Sequence, residues 1–207
     1  MGYLGDRRTI DGNKIYEEDS YYYEWFMYKT DGLFVTDADL YDSEGNKYPT
    51  LTANDKAGNI KYVDVNGDGV INSDDRDFKG NPLPDCSMGL TLGFNYKNFD
   101  VSAFFQGVFG NEVYNLTNYL GEFYNQAQYN KNSTILDAWR PDNTDTDIPR
   151  VTLDDPNNNI RPSTYYIHNA SFVRLKNLKV GYTLPDKVAS KLKLKRTYIY
   201  LQGQNLF

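Results

Sequence analysis

The sequence predicts an all-β chain of antiparallel strands, patterned as part of a large transmembrane β-barrel with long loops at one end and short turns at the other. Three observations carry that expectation. Two alternating runs between Ser87 and Val108 flank Lys97-Asn98, the spacing of a tight hairpin. The connections then differ sharply in length, a dipeptide at Lys97-Asn98 against a long stretch rich in Asn, Asp, Tyr and Pro after Phe109. No run approaches the ~18 consecutive apolar residues of a membrane helix, whereas barrel strands alternate and leave no such run. Alternation alone slightly favours a soluble β-sandwich; the run lengths and the unequal ends fit a barrel better.

Along the chain, residues 1–20 are polar and specify no element. Tyr21 to Tyr28 is an aromatic strand, Lys29-Thr30-Asp31-Gly32 a turn, and Leu33-Phe34-Val35 the end of a second strand. Thr36 to Gly58 has loop composition, and Ile60 to Val63 is a short strand entering the acidic segment Asp64 to Asp75. In the hairpin, a turn at Lys97-Asn98 sets Tyr96 opposite Phe99, Phe94 opposite Val101, Leu92 opposite Ala103, Leu90 opposite Phe105 and Met88 opposite Gly107. The reverse face then carries Asn95 with Asp100, Gly93 with Ser102, Thr91 with Phe104 and Gly89 with Gln106, so Phe104 is its one bulky apolar residue. Beyond the hairpin, a short helix over Ser133 to Trp139, capped by Ser133 and ended by Arg140-Pro141, interrupts the long loop. From Phe172 to Leu184 the phase of alternation changes between Val173/Leu175 and Leu178/Val180/Tyr182, the mark of a bulge or of a strand leaving the bilayer. Pro185 to Lys195 is a basic connector, and Thr197 to Phe207 is a last strand with Tyr198, Tyr200, Gln202 and Gln204 on one face.

Composition narrows the partners. A formal charge of -6 argues against nucleic acid, which needs a basic stripe to displace counterions. Tyr supplies 19 aromatics against 11 Phe and 2 Trp, a bias toward rings with a polar tip that suits a water boundary or a sugar surface. The single Cys, Cys86, excludes an internal disulfide and a paired-thiol metal site, and without a basic neighbour it reads as inert.

Asp64-Val65-Asn66-Gly67-Asp68-Gly69-Val70-Ile71-Asn72-Ser73-Asp74-Asp75 fits the calcium-loop spacing, with ligand positions at Asp64, Asn66, Asp68, the Val70 carbonyl, Asn72 and Asp75. Hard oxygen donors on alternate residues can wrap one Ca2+ because the glycine at the sixth place permits the sharp turn. Asp75 stands where an EF-hand has a longer, bidentate Glu, and the same residues also make ion-free Asp/Asn/Gly turns. With no flanking helices, calcium would clip a loop structurally rather than act as a sensor.

Catalytic signals are weak. His168 is the only histidine and no G-x-S-x-G, P-loop or dinucleotide fingerprint is present. Asp142, Asp145, Asp147, Asp154 and Asp155 could form a glycosidase pair in principle but read as solvated loop charges. Tyr114, Tyr119, Phe123, Tyr124, Tyr129 and Trp139 suit stacking on sugars and equally suit packing the loop on itself, the default.

Taken in order, Ile60 to Ile71, Gly80-Asn81-Pro82-Leu83-Pro84, Gly93 to Gly110 with Phe104-Phe105-Gln106-Gly107, Trp139-Arg140-Pro141, Ser171 to Pro185, and Gln202 to Phe207 resemble the C-terminal barrel region of SusC/RagA-type TonB-dependent receptors. The resemblance covers roughly Tyr21 to Phe207. It implies an outer-membrane location, a barrel with a plugged lumen, energy from a TonB complex acting on the plug region, a SusD-like surface lipoprotein as partner, and uptake of oligosaccharide or peptide without enzymatic chemistry. With the Lys97-Asn98 turn periplasmic, the Asp64 to Asp75 loop and the Asn111 to Ala170 loop lie outside the cell. Barrels of this class close with about 22 strands, so residues 1–207 are expected to be an incomplete C-terminal portion, with plug and export signal before Met1 and final strands after Phe207. A secreted, calcium-stabilised β-sandwich that binds carbohydrate, or part of a glycoside hydrolase, is the competing expectation.

Overall fold

A computed structural model of the chain describes residues 9–17, 23–53, 55–122 and 130–206. Tyr21, Phe123, Tyr124, Tyr129, Met1 and Phe207 lie outside the described residues. The chain divides into two compact units, residues 1–82 with 113–168, and residues 83–112 with 169–207.

In the first unit, a hairpin at Gly12-Asn13 joins Thr9–Asp11 (β1) to Lys14–Tyr16 (β2), and β2 pairs with Glu24–Tyr28 (β3). Thr30–Leu33 (β4) pairs with Ile60–Tyr62 (β5), while Arg76–Gly80 (β6) pairs with β3. The turn expected over Lys29 to Gly32 is therefore a change of sheet. Asp31 and Gly32 sit inside an irregular register of β4, with Gly32 at φ +69°, and the chain is anchored on either side. Lys29 forms a 3.0 Å ion pair with Asp77, and the Thr30 N–H donates to Thr164 Oγ1 at 2.9 Å. Both anchors are distant in sequence, which is why local turn chemistry misassigned the segment.

Tyr28, Ile60, Tyr62 and Ile71 form the buried cluster of this unit, with Leu33, Leu51 and Tyr165 packed against it. The expected helix at Ser133 is a 3-10 turn over Ser133–Asp137, with Asn132 rather than Ser133 at the cap position. It stops before Trp139 because the Trp139 N–H is drawn across the loop to the Ile148 carbonyl at 2.8 Å. A helix not foreseen, Leu116–Gly121 (α1), is capped by Asn115, whose Oδ1 accepts from the Asn118 N–H at 3.1 Å.

The second unit is an antiparallel meander. Cys86–Tyr96 (β7) and Phe99–Phe109 (β8) form the hairpin. The short strands Glu112–Tyr114 (β9) and Ile167–Asn169 (β10) stand where the chain leaves and re-enters this unit. Phe172–Thr183 (β11) pairs with β8, and after the short helix Asp186–Lys191 (α2), which occupies the predicted connector, Tyr198–Gln204 (β12) pairs with β11. All nine hairpin pairs expected from alternation occur in the observed register. Positive φ at Lys97 (54°) gives the tight turn its hand, and Asn98 ties it to the next strand through Nδ2 donating to the Thr183 carbonyl at 2.7 Å.

Candidate functional site

The phase change in β11 resolves into a β-bulge between Leu175 and Asn177. Lys176 is the extra residue, and its insertion returns Leu178, Val180 and Tyr182 to the face that already holds Val173 and Leu175. Five hydrocarbon rows then cross the sheet: Met88-Gly107-Val173, Leu90-Phe105-Leu175, Leu92-Ala103-Leu178-Gly203, Phe94-Val101-Val180-Leu201 and Tyr96-Phe99-Tyr182-Ile199. Strand rise makes the span from Met88 to Tyr96 roughly 27 Å along the strand, and at the usual barrel tilt roughly 20 Å in height before side chains are added. That approaches the ~25 Å apolar band of outer-membrane barrels. The face is open where it is most apolar: Phe94 is 65% and Leu201 80% exposed, the opposite of a sandwich interior. Its turn end is aromatic, with Phe94 stacked on Tyr96 and Phe99 against Tyr182 at 4.5 Å.

The reverse face is polar and wired together. Gln106 Oε1 accepts from Arg174 Nη2 at 2.9 Å and from Lys176 Nζ at 3.3 Å. Lys179 Nζ lies 4.8 Å and 5.0 Å over the Tyr198 and Tyr200 rings, and the Tyr198 O–H donates to Asp100 Oδ2 at 2.7 Å. Gly181 makes that reach possible, since a Cβ there would collide with the Tyr198 hydroxyl and ring. Phe104, the one apolar exception, lays its ring over Gly89.

The acidic loop is organised around two carboxylates. Asp64 Oδ1 and Oδ2 accept the Gly67 and Gly69 N–H groups at 2.7 Å and 2.8 Å, and these bonds, Gly69's first, hold its carboxyl below the usual range. Asp75 is fully buried and accepts from Val65 N–H at 2.9 Å and Asn72 N–H at 2.7 Å. Asn66 Oδ1 takes the Asp68 N–H, Asp68 Oδ1 the Val70 N–H, and Asn72 Nδ2 reaches the Val70 carbonyl at 3.4 Å. The six predicted ligand residues thus share one compact loop whose carboxylates keep further lone pairs. Among the described residues, however, no three Asp, Glu, His or Cys side chains are grouped to hold a metal ion, so any calcium site would depend on the mixed amide, carbonyl and carboxylate set.

The long loop is fixed by buried polar residues that sequence reasoning missed. Asn159 Oδ1 accepts the Ile60 N–H at 3.0 Å, its Nδ2 donates to Asn59 Oδ1 at 3.3 Å, and Asn59 donates in turn to Asp55 at 3.3 Å. The Tyr62 and Tyr166 hydroxyls donate to the Asn158 and Asn159 carbonyls at 3.2 Å and 3.1 Å. Asp155, expected to be a solvated charge, is buried and accepts the Asn159 and Ile160 N–H groups, each at 2.9 Å. The loop aromatics pack on each other: Tyr114 contacts Tyr119 and Tyr166, and the Tyr165 O–H donates to Glu122 at 2.8 Å, a carboxyl whose pKa burial pushes up. Trp139 donates from Nε1 to the Val35 carbonyl at 3.2 Å and lies against Gly58, where φ is +84° and a Cβ would meet the ring. An Asn-rich stretch such as Asn157-Asn158-Asn159 carries no local sign that its side chains are buried.

A sheet that is hydrocarbon on one face, polar on the other and unequal at its ends defines a segment of an antiparallel outer-membrane-type barrel. The comparisons agree. No protein-family model matches the chain. It is 37% identical over 167 residues to TonB-dependent receptor P3 of Formosa agariphila, covering 79% of this chain and 16% of that receptor. Similarity to TonB-dependent receptor SusC of Bacteroides thetaiotaomicron is 32% over 125 residues, 60% of this chain and 12% of SusC. Its fold matches the structure of the RagAB peptide transporter with a TM-score of 0.69 at 24% identity, covering 99% of this chain and 21% of that one. A second RagAB structure, in a closed-closed state, gives 0.64 at 26% identity, with the same 99% and 21% covered. The sequence is thus of the TonB-dependent receptor kind, SusC among its relatives, and it spans about a sixth of the length of the receptors it matches.

Proposed function

We propose that the protein carrying this chain is an outer-membrane transporter that takes up oligosaccharide or peptide through a TonB-driven barrel, without covalent chemistry, together with a SusD-like surface lipoprotein. The observation that carries this reading is the two-faced sheet. Five uninterrupted hydrocarbon rows suit lipid, and the bonded network around Gln106 and Asp100 on the reverse suits a polar lumen. With the tight turn periplasmic, the acidic loop and the long loop face the medium, where ligand and lipoprotein arrive. The decisive test is fractionation of native cells with an antibody raised against Asn111 to Ala170. An outer-membrane band far heavier than 23.8 kDa is expected, whereas a soluble or secreted band near that mass overturns the reading and restores the calcium-stabilised binding module.

We further propose that the acidic loop takes one structural Ca2+ on Asp64, Asn66, Asp68, the Val70 carbonyl, Asn72 and Asp75. The compact turn, already drawn around Asp64 and Asp75, supports it. Calcium should then raise the melting temperature of the full receptor, and an Asp64→Asn/Asp68→Asn variant should lose that rise. An identical melting temperature in calcium and in EGTA removes the ion and leaves the transport reading intact.

A further inference from the structure

The face of the first unit contains a cleft of about 330 Å³ lined by Ile135, Ala138, Trp139, Pro141 and Val151, with the guanidinium-bearing residues Arg140 and Arg150 beside them. The two arginines differ. Arg140 Nη1 donates to the Leu136 carbonyl at 2.8 Å and its Nε lies 3.4 Å from Asp142, so it is already engaged. Arg150 is partly buried, its backbone N–H bonded to the Gly58 carbonyl at 2.8 Å, yet among the described residues its guanidinium has no hydrogen-bond or ion-pair partner. A guanidinium has five N–H donors in a fork that matches a carboxylate. Apolar walls beside it match an aliphatic or aromatic group.

We propose that this cleft is a binding subsite for an acidic peptide, in which the Arg150 guanidinium receives a peptide carboxylate and the Ile135, Trp139 and Val151 walls receive a neighbouring apolar side chain. A uronic-acid sugar also offers a carboxylate, but its many hydroxyls need a dense set of polar partners. The cleft lacks them, for its lining is mostly apolar and the Trp139 Nε1–H is already donated to the Val35 carbonyl. The flanking Leu136 and Leu153, 71% and 69% exposed, extend the apolar surface next to the cleft residues in sequence. The assignment rests on the reading of the protein as an outer-face transport receptor, and it narrows the cargo to the peptide alternative.

The test is titration of the full-length receptor, purified in detergent, with a short peptide ending in Leu-Glu and its Leu-Gln amide counterpart. Saturable binding of the acidic peptide alone is expected. Arg150→Gln should weaken it by roughly tenfold or more, and Arg150→Lys by less, because a point charge keeps attraction but loses the fork. An unchanged melting temperature separates lost binding from lost fold. Unchanged affinity in Arg150→Gln, or absence of saturable binding to the wild type, overturns the proposal. Tighter binding of oligogalacturonate, or release of a co-purifying lipoprotein by Arg150→Gln while peptide fails to bind, overturns the peptide assignment. The fractionation described above fails independently, since a soluble protein would refute the transport reading whatever its peptide affinity.

Discussion

The meander of β7, β8, β11 and β12 and the loop-built first unit solve the problem of ordering a chain in opposite ways. In the meander, order is set by a period of two. Each residue's face follows from its position, backbone groups are satisfied by adjacent strands, and the exposed hydrocarbon of Phe94 or Leu201 is the point of the structure. In the first unit, strands are short and buried polar side chains satisfy backbone groups that ladders satisfy elsewhere: the Asn159 amide accepts the Ile60 N–H, and the Asp155 carboxylate accepts two further backbone N–H groups. The difference teaches that a regular element facing lipid is written locally, whereas a loop held by polar side chains is written partly in pairs about a hundred residues apart, as Asn159 with Ile60.

The largest effect that would test this contrast is a charge in the middle hydrocarbon row. Leu92→Arg should cost about 2–4 kcal/mol if the row faces the bilayer midplane, and Ser102→Arg on the reverse face should cost well under about 1 kcal/mol. Denaturant unfolding of the full receptor in bilayers distinguishes the two, and equal costs would erase the distinction between faces. Next, Asn159→Ala should destabilise the first unit by about 1–3 kcal/mol, because it strands the buried Ile60 N–H. Hydrogen exchange should speed at Ile60 while amides of β8 keep their protection. A comparable loss, about 1–3 kcal/mol, is expected of Gly58→Ala, which combines a positive φ with a collision against Trp139, and the emission of Trp139 should report its displacement.

The smallest effects concern pH, and they carry opposite signs within the first unit. Asp64 has a lowered pKa, so the order it lends the acidic loop is full above the ordinary carboxylate range and is lost as pH falls through its depressed value. Protection of the Gly67 and Gly69 amides should fade there. Glu122 has a pKa raised by burial, so its neighbourhood loses stability as pH rises from the ordinary value of 4.5 through the raised one, and gains it on acidification. Local exchange around Tyr165 should quicken as pH rises through that interval, while exchange at Gly67 should stay level there and quicken only as pH falls below the ordinary carboxylate range; a change at Gly67 within the Glu122 interval, or none at Tyr165, would contradict the assignments.

Much of the meander is legible in the sequence, including the hairpin register, the polar face of β12 and the phase break in β11. The break became a bulge only when β8 supplied the register: Lys176 has no local feature that distinguishes an inserted residue from a strand end. The first unit was read less well. Its ligand-like acidic loop follows from spacing, but the sheet change at Lys29 and the buried role of Asn159 depend on contacts with distant segments, and the burial of Asp155 on what packs over it. The sequence by itself determined which residues alternate, where the tight turn falls and that one sheet face must be hydrocarbon, because these follow from the two-residue strand period and local backbone preference. Tertiary structure alone decided which polar side chains are buried and with whom they bond. Burial is a property of what packs on top of a residue, and an asparagine carries no mark of it until its partner arrives.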